Sequence, residues 1–104
     1  MSFKRIPVIE AQEMISSSGG EVTIVDIRDG VSYASGHIDS AINLTSDNVQ
    51  KFIGETDIQL PLLVYCYHGN MSQEAAAWLA GQGFVHSFSL NGGYQAWLEA
   101  ESSD

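Results

Sequence analysis

The chain has 104 residues, 44% of them apolar and 16% charged, and four Lys and Arg against 13 Asp and Glu leave a net charge of −9. That length makes one ordinary domain, expected to span residues 1–104, and area scaling from ~16,000 Å² unfolded to ~5,700 Å² folded buries roughly 65%, enough for a core without staples. Basic residues are too few to grip nucleic acid or anionic lipid, no apolar run reaches the ~18 residues of a membrane span, and a single Cys excludes an intrachain disulfide.

The opening MSFKRIPVIE has basic residues but no apolar run or small-residue cleavage site behind them, so a reducing cytoplasm is expected. Residues 8–17 (VIEAQEMISS) predict a helix after Pro7, with Val8, Ala11, Met14 and Ile15 on one face. The SerSerSerGlyGly stretch at 16–20 and the tail after Ala100 read as linker-like, without a domain boundary. VTIVDI at 22–27 and LLVYCY at 62–67 are nearly continuous β-branched and apolar runs, as in parallel strands covered on both faces. AINL at 41–44 and FVHSFSL at 84–90 are further strands. Helices are expected at 46–54, with Val49, Phe52 and Ile53 as a stripe, at 71–82, closing at Gly83, and at 94–100. Trp78, Leu79, Trp97 and Leu98 read as core-facing. Strands alternating with helices imply an α/β layer structure with a mostly parallel sheet, whose sites lie outside the carboxyl ends of strands.

LLVYCY ends near Cys66, the only thiol, and a helix starts within a few residues. A lone Cys is most often a small buried hydrophobe. At a strand end, before a turn with Gly69 and Asn70, a reactive thiol is the preferred reading. Such a turn can aim successive amides inward as an anion-binding nest, and the helix behind it adds partial positive charge. A dianion can then be held without Arg or Lys, and the same field favours thiolate over thiol. Ser72 can cap the helix or face the pocket. His68 is read as a turn or surface residue, because neighbours in a loop seldom point at each other. His37, His68 and His86 have no metal-ligand spacing, and GlyGly at 92–93 is a turn into the last helix, not a phosphate fingerprint.

Three blocks match one family in order and spacing: VDIRDGVSYASGHIDSAINL at 25–44, CYHGNMS at 66–72 and LNGGYQAW at 90–97. The chain resembles a single-domain rhodanese. The resemblance implies a central five-stranded parallel sheet with helices on both faces, and ping-pong sulfur transfer with Cys66 as nucleophile. Thiosulfate would be the donor; cyanide, a small thiol or a dithiol protein such as thioredoxin would be the acceptor; no cofactor or metal is needed. Tyr67, His68, Gly69, Asn70, Met71 and Ser72 would form the loop that binds substrate and persulfide, and Asp26, Arg28 and His37 would support it. Many relatives carry Arg at the sixth loop position, where this chain has Met71, so weak thiosulfate affinity is expected.

Dual-specificity phosphatases and arsenate reductases of related fold also use a loop Cys, but their loop is one residue longer and ends in Arg. No Arg follows Arg28 here, which disfavours phosphoryl transfer. A persulfide carrier or regulatory domain, loaded by a protein partner, and a non-catalytic domain with an inert thiol stay open at this level.

Overall fold

The run at 62–67 becomes the middle of the sheet. In this computed structural model, which describes residues 2–102, strand β4 (Leu62–Tyr65) is buried at every position. Before it come β1 (Lys4–Ile6), helix α1 (Val8–Ser17), β2 (Thr23–Asp26), α2 (Gly30–Ser35), β3 (Ile42–Asn43) and α3 (Val49–Glu55); after it come α4 (Met71–Gly81), β5 (Ser87–Leu90) and α5 (Gly93–Ser102). The sheet order is β1-β5-β4-β2-β3, parallel throughout, as expected of a five-stranded sheet whose connections are helical crossovers. The accessible area is 5842 Å².

Strand pleating divides the core in two. Ile24, Leu63, Tyr65 and Leu90 face one side, with Ala11 of α1 and Trp97 of α5. Val25, Leu62 and Val64 face the other, with Phe52 of α3, and Ala76 and Leu79 of α4. Helices therefore cover both faces. The apolar face expected on α1 is present: Ala11 is buried, and Val8, Met14 and Ile15 pack partly buried against the same cluster.

Two elements are absent from the sequence reading. β1 is three residues long with two exposed positions, an edge strand whose partner is β5. α2 buries none of its six residues and rests on its cap: the Asp29 carboxylate accepts from Ser32 N at 2.9 Å and from Ser32 Oγ at 2.8 Å. Several expected elements are trimmed or shifted. Cys66 and Tyr67 leave β4 to enter the following loop. Residues 84–86 stay outside β5, because Phe84 N bonds Leu79 O and closes α4 while the Phe84 ring enters the core. Residues 46–48 form a turn before α3, with Asn48 Oδ1 accepting from Thr45 N. Ser16 and Ser17 end α1 and are not linker. Glu101 and Ser102 continue α5; the expected tail beyond them, Ser103 and Asp104, lies outside the described residues, as does Met1.

Trp78 and Leu98 are corrections. Both are nearly half exposed, whereas Leu79 is 1% exposed and Trp97 is buried. Each pair straddles the edge of a helix's apolar stripe, where one residue's rotation of about 100° separates core from solvent. Leu79→Ala is therefore expected to cost about 2–5 kcal/mol, and Trp78→Gln about 1 kcal/mol or less, in urea unfolding; equal costs would contradict this packing.

Candidate active site

Cys66 follows β4 directly, at the carboxyl ends of the strands. Its residue is 1% exposed, yet with Tyr67, His68, Asn70 and Met71 it lines a small pocket of about 90 Å³. Two loop amides converge on the sulfur: Gly69 N donates at 3.3 Å and Ser72 N at 3.2 Å. The thiol donates to Ser72 Oγ at 3.4 Å, and Ser72 Oγ lies 2.8 Å from Ser89 Oγ on β5. Burial alone would push the Cys66 thiol up. Hydrogen bonds from the Ser72 hydroxyl and from the Ser72, Gly69 and His68 amides outweigh it and bring it below the ordinary cysteine value.

The loop can turn so tightly because Gly69 stands at φ 92°, and a Cβ there would come within 2.7 Å of Gly92 N. The GlyGly pair does more than enter a helix. Gly93, at φ 60°, presses on the loop so closely that a Cβ would lie 2.6 Å from Cys66 O and 2.7 Å from His68 N. Behind it the first amides of α5 take the loop carbonyls: Tyr94 N donates to Cys66 O at 2.9 Å and Gln95 N to Tyr67 O at 3.2 Å. Gln73 Nε2 donates to Gly69 O at 2.9 Å.

The remaining expected residues fall into two groups. Asp26 and Arg28 are buried and paired: Arg28 Nη2 lies 2.7 Å from Asp26 Oδ2, Nε reaches both carboxylate oxygens, and Nη2 also donates to Gly36 O at 2.6 Å. Burial opposes the Arg28 charge, but Asp26 prevails and holds the guanidinium above its usual value. The guanidinium lies 4.3 Å from the ring centre of Tyr94. This geometry favours a supporting role over direct anion binding. His37 is exposed, stacks on Tyr33 at 3.9 Å and brings Nδ1 within 2.7 Å of Tyr33 O, in the segment after α2. His68 is exposed and sends no side-chain bond to Sγ; its amide is what acts on the sulfur. Met71 is 54% exposed at the pocket rim.

Sequence reasoning missed Asp29, Ser89 and the clamp by Gly93. The Tyr67 phenol donates to the Asp29 carboxylate and accepts from Asp29 N at 3.3 Å, which ties the loop to the cap of α2. That bond, with those from Ser32, holds the exposed Asp29 below the usual carboxylate range. Nothing in a strand pattern marks Ser89 as polar by design. Gly93→Ala is expected to cost about 2 kcal/mol or more through left-handed strain and overlap with the loop, lowering Tm by roughly 10 °C and slowing Cys66 alkylation. Unchanged melting would show that the clamp yields freely.

The Rhodanese-like domain family matches residues 8–100. The thiosulfate sulfurtransferase GlpE of Shewanella oneidensis is 48% identical over 101 residues, covering 97% of this chain and 98% of the relative. That of Ectopseudomonas mendocina is 48% identical over 95 residues, covering 91% and 84%. Among solved structures, the rhodanese-like domain of an Anabaena protein superposes with a TM-score of 0.81 at 24% identity, covering 96% of this chain and 83% of that one. With the family model spanning residues 8–100 and relatives 48% identical over nearly the full length, the chain belongs to the rhodanese-like domain family.

Proposed function

We propose that the protein, as a single domain over residues 1–104, is a thiosulfate sulfurtransferase with Cys66 as its nucleophile. The observation that carries the reading is a sulfur at a strand end that receives the Gly69 and Ser72 amides and, among the described residues, has no cationic side chain bonded to it. The sulfurtransferase names of near-full-length relatives support it. The Cys66 thiolate attacks the outer sulfur of thiosulfate; the S–S bond to the sulfonate breaks, its electron pair leaves with sulfite, and Cys66 is left as a persulfide anion. Cyanide then attacks the terminal sulfur, forming thiocyanate and returning the thiolate. A small thiol or a dithiol protein such as thioredoxin is the alternative acceptor.

The loop from Tyr67 to Ser72 stabilises each anionic species in turn with dipoles fixed by the fold. The donors are peptide amides, so a chain of net charge −9 handles a dianion without a local cation. Met71 places an apolar, exposed side chain where a guanidinium would help, which fits weak thiosulfate affinity. The reading includes a reducing, cytoplasmic setting, where a free Cys66 persists. No helix among the described residues is long and apolar enough to cross a membrane.

Intact mass spectrometry tests the covalent step. Thiosulfate should add one sulfur, about 32 Da, which cyanide removes and Cys66→Ser never gains; a parent protein that gains no mass under any thiosulfate concentration would overturn the reading. Met71→Arg should lower the thiosulfate KM roughly fivefold through one charge-assisted contact at an exposed rim. An unchanged KM would mean that residue 71 does not meet the substrate.

A further inference from the structure

A row of three polar atoms runs from the site into the interior: Cys66 Sγ, Ser72 Oγ and Ser89 Oγ, spaced 3.4 and 2.8 Å. All three residues are buried, at 1%, 0% and 0% exposure, and Cys66 also lines the site pocket. Ser89 Oγ meets no further hydrogen-bond partner among the described residues. The row has two links. With a thiol it carries three hydrogens, so one of them lacks an acceptor within the row. With a thiolate it carries two hydrogens, and both point toward sulfur: Ser89 donates to Ser72, and Ser72 donates to Sγ. A buried hydrogen without an acceptor is costly, so the row is fully satisfied in one charge state only.

We propose that Ser89 is a positioning residue for the sulfur chemistry, its buried hydroxyl turning that of Ser72 toward Cys66 so that the row is complete when the sulfur is anionic. The proposal deepens the sulfurtransferase reading and rests on it for its purpose. Thiolate is both the attacking form and the group released when the acceptor removes the outer sulfur. The row therefore favours the start of the first half-reaction and the end of the second. In the persulfide the bridging sulfur is a poor acceptor, and the full pattern returns when the thiolate is released.

The charged and titratable groups around the row are engaged elsewhere or exposed. Asp26 and Arg28 neutralise each other, Tyr65 Oη accepts from Ile38 N, and Tyr67 bonds Asp29. Tyr94 lies under Arg28, while His68, Glu74 and His86 are exposed. Arg5 is the β1 register partner of Ser89 and is also exposed. None of them hydrogen-bonds to the three atoms. Ser89 lies in register with Val64 in the sheet, so a merely structural role would be satisfied by any small side chain.

The test follows the rate of Cys66 alkylation by iodoacetamide across pH in the parent, Ser89→Ala, Ser72→Ala and the double variant, with far-UV circular dichroism to verify folding. Ser89→Ala should raise the pH midpoint by about half to one unit, a roughly three- to tenfold loss of thiolate below the parent midpoint. Ser72→Ala, which detaches the row from sulfur, should raise it at least as far. Adding Ser89→Ala to Ser72→Ala should then change nothing, because Ser89 acts only through Ser72. A Ser89→Ala profile that superposes on the parent, or a full additive shift in the double variant, would overturn the proposal. Should Ser89→Ala fail to fold, a Ser72→Ala midpoint no higher than the parent's would overturn it alone. Alkylation needs no thiosulfate, so failure of persulfide loading in the parent would count against the sulfurtransferase reading and leave this result legible.

Discussion

Asp26 and Arg28 form a buried ion pair on which the geometry around Cys66 hangs. Arg28 Nε and Nη2 engage both carboxylate oxygens, and the Arg28 amide also donates to Asp26 Oδ1 at 2.8 Å. The same guanidinium holds Gly36 O beyond α2 and lies over Tyr94, whose amide fixes Cys66 O. Asp26, Gly36 and the distant Tyr94 thus share one planar group. Such a pair adds little net stability after desolvation, but losing one partner would strand a buried charge. A bidentate fork suits this set of contacts better than an ammonium would.

With Arg28 engaged in that pair, the groups that donate to the sulfur are the Gly69 and Ser72 amides. The peptide planes of the loop are sorted by direction: the Gly69 and Ser72 amides face the sulfur, while the carbonyls of Cys66 and Tyr67 face the amides of Tyr94 and Gln95 at the start of α5. Carbonyl oxygens near a thiolate would repel it, so the clamp removes the unfavourable dipoles as it aims the favourable ones. The approach of α5 is close enough that Gly93 has no room for a Cβ. Fixed dipoles in a buried site need no reorganisation as the charge on the sulfur changes. The two serines extend this arrangement behind the sulfur.

Much of this was legible in the chain because it depends on local pattern. Helix α1 runs over the expected residues, and β2 and β4 lie inside the two apolar runs. Cys66, the turn glycine Gly69 and the helix after them are contiguous, so their relation needs no tertiary information. β1 and α2 were not legible. A three-residue edge strand has too little length for a period, and a six-residue helix with no buried position has no apolar stripe. Trp78 and Leu98 were misplaced because helical periodicity locates a stripe's centre better than its margin.

The sequence by itself determined the alternation of strands and helices, the parallel sheet with its covered faces, and a thiol at a strand end before an amide-rich turn, since each follows from near-neighbour chemistry. Tertiary structure alone decided which residues meet that turn. The contact of Gly93 with Cys66, the reach of Tyr67 to Asp29 and the meeting of Ser89 with Ser72 join residues 17 to 38 positions apart. Parallel crossovers bring them together at the carboxyl end of one sheet, and no local periodicity encodes a contact made by the return of the chain.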